Sequence, residues 1–283
     1  MAYAYDGAAA LDYFHCRYGY SRNLFRGPRS DLSGQYVAVL GGTETFGKFI
    51  AEPWPDLIAR KTGRTVVNLG IVNAGLDAYL NDPAAIAVAA GAGLRIVQVL
   101  GAVNLSNRFY SVHPRRNDRF IAASAELLAL YPEVDFTEFN FTRHLIQRLA
   151  LLGSDRFEIV ATELRAVWHR RMLRLLADTG GPTRLLWFAE TLPPEDRRLR
   201  TGQGQPPLVD RRMLKLLEPL VEEVIEVVPR VWGGALEGKL FSPLDTPSAL
   251  ALPGPRAHEV VARRVIAAIE RAEKPRHRKT AGQ

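Results

Sequence analysis

The run GGTETFG (Gly41–Gly47) sets one hydroxyl among small residues that let a ligand come close to backbone. A threonine hydroxyl becomes a nucleophile only when a neighbouring base takes its proton; without one it is a hydrogen-bonding group. The run lacks the spacing of a phosphate-binding loop and of a dinucleotide fingerprint. Two further polar sets follow. NLGIVNAG (Asn68–Gly75) carries Gly70, Asn73 and Gly75, and LGAVNLSN (Leu100–Asn107) carries Asn104 and Asn107. A glycine N–H and an asparagine amide are the donors that steady a developing oxyanion, each by roughly 3 kcal/mol. Either asparagine is equally suited to capping the following helix. Asp245 and His258, near the end of the chain, are the types that make an orienting carboxylate and a base. The stretch SVHPRRNDRF adds His113, Arg115, Arg116 and Arg119. It reads as a solvated basic surface or as a clamp for an anion, since arginine forks match phosphate, sulfate and carboxylate.

These sets must be positioned by regular elements, and the apolar pattern supplies them. YVAVLGG (36–42), TVVNLG (65–70), LRIVQVLGA (94–102), TRLLWFAE (183–190) and VIEVVP (224–229) are short apolar runs with turn residues behind them, hence strands. Helices are predicted from about Pro55 to Gly63, over Asn81–Gly91, in a helical section over Asn117–Pro132 and Asp135–Gly180, over Val209–Glu223, and over His258–Ala272. Phe157, Val160, Ala161, Leu164, Val167, Trp168, Met172 and Leu175 follow the three-four spacing of a buried helical stripe. Ser242–Pro255 reads as irregular, and Leu192–Pro207, rich in proline, glycine and charge, as a mobile loop.

Strands alternating with helices predict an α/β fold: three layers, α/β/α, around a doubly wound parallel sheet of about five strands, flavodoxin-like in type. In such sheets the ligand crevice lies at the carboxyl ends of the strands, so the three polar sets should meet there. The expected organisation is an N-terminal segment (1–35) packing on one domain (36–272), a helical insertion at about 108–180, and a disordered basic tail (273–283).

At 283 residues, 47% hydrophobic and 24% charged, the chain can bury a core without staples. Its one cysteine, Cys16, excludes an internal disulfide and reads as a packed thiol. No secretory signal and no membrane-length apolar run is apparent, so cytoplasmic residence is the expectation. The net charge of +7 suits anionic ligands, yet no nucleic-acid motif accompanies it, and nucleic acid is disfavoured as a partner. No histidine–carboxylate set has metal-ligand spacing, so neither metal nor cofactor is expected.

The order of motifs resembles the SGNH (GDSL-type) hydrolase superfamily: a strand ending in GG[ST]xTxG, a strand ending in NLG, a strand ending in G-x-N, and a final P-x-x-x-x-H before a helix. The whole sequence also resembles an uncharacterised alphaproteobacterial domain family of unknown function. The first resemblance implies an SGNH-like fold and puts Thr43 in the place of the nucleophilic serine. Gly75 and Asn104 take the oxyanion positions. The remaining triad positions fall on Ala249 and Leu252, and His258 falls on a histidine that is not catalytic in the family. A reorganised loop would bring His258 to Thr43 with Asp245 behind it. Gly42, Glu44, Thr45, Asn73, Asn107, His113, Arg115 and Arg116 are the expected ligand contacts.

The resemblance implies a hydrolase or acyltransferase with a degenerate triad, acting on an ester or acyl group of a carbohydrate or lipid. Two alternatives stand beside it. One is a transferase with an anionic donor, similar to a sulfotransferase. The other is a binding module that has kept the crevice and lost the chemistry.

Overall fold

The computed structural model describes residues 11–195 and 206–273. The expected disordered tail beyond residue 273 and most of the predicted loop at 192–207, with its RRLR cluster, lie outside the described residues.

Strand β1 (Tyr36–Leu40) is buried along its whole length and hands over at Gly41–Gly42 to a single helical turn, α1 (Thr43–Phe46). Gly47 ends that turn in the left-handed region at φ 76°, where a Cβ would lie 2.3 Å from the Pro53 side chain. Helix α2 (Trp54–Thr62) starts with a proline in its first turn and stops at Gly63, as its end signals dictate. After β2 (Thr65–Asn68) come a short helix α3 (Asp77–Leu80) and α4 (Pro83–Ala90), capped by the Asp82 carboxylate on the Ala85 N–H. Strand β3 (Leu94–Gln98) completes the first half.

The next section departs from the all-helical expectation. Tyr110–Val112 (β4) and Phe120–Ala123 (β5) form an antiparallel two-stranded ribbon, and helix begins only at α5 (Ala125–Leu130), where Ser124 caps Leu127. Helix α6 (Thr142–Leu151) and the 26-residue α7 (Ser154–Thr179) follow. All eight residues of the predicted stripe on α7 are buried. Strand β6 (Thr183–Phe188) returns to the sheet. The predicted helix over Val209–Glu223 is shorter, α8 (Arg211–Lys215) plus a turn of 3-10 helix at Glu218–Leu220, with Pro219 inside the predicted span. Strand β7 (Glu223–Val227) ends the sheet. The stretch read as irregular contains helix α9 (Thr246–Ala251), and α10 (Pro255–Glu273) closes the described chain.

The main sheet is parallel throughout, in the order β2-β1-β3-β6-β7. That order is doubly wound, reversing direction between β1 and β3. Successive side chains on a strand face opposite ways, and the two faces bury different layers. Val37, Val39, Ile96, Leu186 and Phe188 pack with Trp54 and Ile58 of α2 and Val261, Val265 and Ile269 of α10. Ala38, Leu40, Val97, Leu185 and Trp187 pack on the other side with Trp168 and Leu164 of α7 and with Tyr79 of α3. The result is three layers, α/β/α, as the sequence predicts. The three fully buried tryptophans, Trp54, Trp168 and Trp187, anchor these layers, and removing any one would cost roughly 3–5 kcal/mol.

The N-terminal stretch is tied to the first crossover. Arg26 is buried and donates to the carbonyls of Gly47 (3.0 Å), Ile50 (2.9 Å) and Ala51 (2.8 Å). The Cys16 thiol is half-buried, and burial raises its pKa.

Candidate functional site

The carboxyl ends of β1, β2 and β3 meet as the topology requires, and their loops are wired together by polar side chains. Gln98, the last residue of β3, is a polar residue at the end of an apolar strand and is 3% exposed. Its carbonyl oxygen accepts from the Gly42 N–H (3.0 Å) and the Thr45 hydroxyl (2.5 Å), and its NH2 donates to Glu44 (3.0 Å). One side chain of β3 thereby fixes the turn after β1. Tyr79 does the same from α3: its hydroxyl accepts from the Gly41 N–H (2.8 Å) and lies 2.6 Å from the Gly41 carbonyl oxygen. Burial pushes the Tyr79 phenol well above its ordinary range, so it stays neutral.

This wiring corrects part of the expected ligand contacts. Thr45 is fully buried, and the Gly42 N–H is already used. Both hold the turn in shape. Glu44 remains half-buried at the strand ends, with its carboxyl pKa raised by burial and moderated by Gln98.

Thr43 begins α1. Its hydroxyl accepts from the Asn73 backbone N–H (2.9 Å) and donates to the Asn73 side-chain oxygen (3.2 Å). Asn73 adopts φ 57°, a left-handed conformation that asparagine tolerates better than most residues. Its NH2 donates to Asp118 (3.0 Å). Asn104 reaches the same point from the β3 side, donating to the Asn73 carbonyl (3.4 Å) and accepting from the Thr142 hydroxyl (2.6 Å). Thr142 is bonded through its N–H to the Asp118 carbonyl (2.9 Å). Thr43, Asn73, Asn104, Asp118 and Thr142 therefore form one polar network drawn from five separate parts of the chain. Burial raises the Asp118 pKa, opposed by the Asn73 hydrogen bond and by Arg119 and Arg116.

The expected oxyanion glycine is otherwise engaged. The Gly75 N–H donates to the side-chain oxygen of Asn117 (2.9 Å), which also accepts from Ala78 N–H (2.9 Å). Gly75 is required by close approach: a Cβ there would lie 1.9 Å from the Asn104 carbonyl oxygen. Asn107 satisfies its own turn, accepting from Phe109 and Tyr110 N–H and donating to Leu105. Asn117 is fully buried and donates its NH2 to the carbonyls of His113 and Pro114, which holds the loop 113–118 in place.

Neither His258 nor Asp245 joins Thr43 by a hydrogen bond. His258 lies on α10, 1% exposed, with its ring edge-on to Phe188 at 5.8 Å between centroids. Its Nδ1 accepts from the Trp54 backbone N–H (3.2 Å), serving as a cap for α2. Burial, with Arg26 and Lys239 nearby, lowers its pKa to about 3. An imidazole so placed stays neutral, and the sequence-based assignment of it as the base of Thr43 is corrected here. Asp245 accepts from Ser242 (2.9 Å) and lies 3.6 Å from Lys48. Ala249 and Leu252 sit on and just after α9, and both carbonyls are held by the buried Lys239 ammonium at 2.6 and 2.7 Å.

Of the basic loop, Asp118 faces the network, whereas His113 and Arg115 line a cavity against the N-terminal segment to which no residue of Gly41–Gly47 contributes. Gln98, Asn117 and Asp118 carry much of the arrangement, and sequence reasoning did not single them out. The signal for Gln98 was there, an amide closing a buried apolar strand. For Asn117 and Asp118 it was masked by the arginines around them.

Among the described residues, no group of three or more His, Cys, Asp or Glu side chains could hold a metal ion. No helix among them is long and apolar enough to cross a membrane.

Residues 1–273 match the family described as a domain of unknown function (DUF6473), and the chain belongs to that family. A search of curated protein sequences gave no match. Among solved structures, the chain is similar to the lipase Lip_vut3 from a goat rumen metagenome, at 15% identity and a TM-score of 0.40, covering 83% of this chain and 97% of that one. It is similar to a lipolytic protein of the G-D-S-L family from Desulfitobacterium hafniense DCB-2, at 13% identity and a TM-score of 0.39, covering 82% and 98%. A third likeness is to the salicylyl-acyltransferase SsfX3 from a tetracycline biosynthetic pathway, at 15% identity and a TM-score of 0.34, covering 85% and 57%.

Proposed function

We propose that this member of the DUF6473 family binds a small hydroxyl-bearing ligand, such as an acylated carbohydrate, at the carboxyl ends of β1–β3, with Thr43 as an anchor rather than a nucleophile. The observation that carries this reading is the double hydrogen bond between Thr43 and Asn73. The hydroxyl proton rests on an amide oxygen, which is no base, and no histidine among the described residues bonds to it. The network beside it offers amide donors and acceptors and one carboxylate, a set that pairs with sugar hydroxyls.

The test uses a panel of acylated monosaccharides and aryl acyl esters. Binding detected by NMR titration, weakened by Asn73→Ala and Asn104→Ala and without turnover, is the expected result. Turnover that disappears in Thr43→Ala would overturn it.

A second reading is an SGNH-like hydrolase or acyltransferase. It is favoured by the convergence of Thr43, the Asn73 N–H and the Asn104 amide, the parts of a nucleophile turn and its donors. The base in that reading is Asp118, which takes the Thr43 proton only once the intervening Asn73 side chain moves aside and lets the carboxylate meet the hydroxyl directly. Ester turnover lost in both Thr43→Ala and Asp118→Asn is the result this reading needs.

A further inference from the structure

A cavity of about 470 Å³ lies where the N-terminal segment meets the loop 113–118 and the start of α4; Tyr20, Arg22, Asn23, Asp82, His113 and Arg115 are among its lining. Its charges are unevenly satisfied. The Asp82 carboxylate is buried and fully occupied, accepting from Ser21 (2.5 Å), Asn23 (2.8 Å) and Ala85 N–H (3.1 Å). Arg22 and Arg115, from segments more than ninety positions apart, have no side-chain hydrogen bond or ion pair among the described residues. The His113 Nδ1 accepts from the N–H groups of Arg115 (3.2 Å) and Arg116 (3.1 Å). In the neutral ring the proton is then on Nε2, which remains a donor. Three donors with no acceptor of their own thus line one cavity, with the exposed Tyr20 ring beside them.

We propose that this cavity is a binding site for a small phosphate or sulfate monoester, with Arg22, Arg115 and His113 holding the anion and Tyr20 covering the organic group. Paired guanidinium forks are suited to the tetrahedral oxyanion, and a phenol ring to a flat or sugar face. The carbonyls of His113 and Pro114 are held by Asn117 and the Arg115 N–H by the His113 ring, so the site is built on a pinned loop. The site is independent of the reading of Thr43.

The test is calorimetric titration of the full chain with phenyl phosphate, phenyl sulfate, inorganic phosphate and inorganic sulfate at constant ionic strength. Binding of either monoester, tighter than its inorganic ion, is expected. Arg22→Gln and Arg115→Gln should each weaken it by roughly tenfold, the loss of one charge-assisted hydrogen bond. Arg116→Gln, outside the cavity, and Thr43→Ala, in the crevice, should leave it unchanged. Circular dichroism establishes that the variants are folded. The proposal is overturned if no anion binds, if Arg116→Gln weakens binding as much as Arg115→Gln, or if a duplex oligonucleotide binds more tightly than the monoesters.

Discussion

Thr43 and Asn73 satisfy each other twice, backbone N–H to hydroxyl at 2.9 Å and hydroxyl to side-chain oxygen at 3.2 Å. The orientation of the Asn73 amide is not arbitrary. Asp118, as a carboxylate, can only accept, so the NH2 faces it and the oxygen faces Thr43. An imidazole in the same place would take the hydroxyl proton while the carboxylate steadied the resulting cation; an amide takes no proton and fixes geometry.

The first prediction follows from that pair. Thr43→Val keeps the shape and removes the hydroxyl, leaving the Asn73 N–H without its acceptor. Urea unfolding should show a loss of about 1–2 kcal/mol, and Thr43→Ser should restore most of it.

Asn117 tests the second part of the site. Asn117→Ala strips the acceptor from the Gly75 and Ala78 N–H groups. Each buried orphan costs about 1–3 kcal/mol, so for the two together stability should fall by roughly 2–6 kcal/mol. Hydrogen exchange at Gly75 and Ala78 should accelerate, while exchange within β6 should follow only the global change.

Gly75→Ala probes close approach rather than bonding. The new methyl meets the Asn104 carbonyl at 1.9 Å, so the backbone of one loop must move. A loss of roughly 3 kcal/mol is expected. The Asn73 and Asn104 amide resonances should shift together, because their hydrogen bond is the first contact to be stretched.

His258 makes stability depend on acid. Its folded value of about 3 lies below the unfolded value near 6.5. Between those limits the unfolded chain binds a proton that the native chain does not, so stability falls as pH falls through that window. Above about pH 6.5 the group has no effect; below about pH 3 the loss is complete, on the order of 5 kcal/mol. His258→Asn, which retains an acceptor for the Trp54 N–H, should flatten the acid limb measured by denaturant titration from pH 7 to pH 4. An unchanged limb would remove His258 from the account.

The sheet was legible in the sequence because β1, β3 and β6 are apolar runs, buried on both faces and followed by turns. Helix α7 was legible because its buried positions keep strict three-four spacing over most of its 26 residues. The ribbon of β4 and β5 was not, since NDRFIAASAELL has no two-residue alternation and Phe120–Ala123 is exposed at two of its four positions. The candidate site was half legible. Gly41–Gly47, Asn73 and Asn104 stand at strand ends, where the topology brings them together. Their partners are set by contacts 30 to 56 positions apart, such as Thr43 with Asn73 and Gly42 with Gln98, which no local pattern records. His258 misled for the opposite reason: its place just inside the last helix suits a catalytic group, but its ring turns into the core beneath Trp54.

Lys239 ties the loop before α10 together. Its buried ammonium grips the carbonyls of Ala249 and Leu252 and sets a positive field there. A histidine introduced at position 252 would enter beside a fixed cation that opposes its protonation. The fold of that loop therefore rests on a single desolvated cation, and a change that removed or discharged it would release the carbonyls of positions 249 and 252 together.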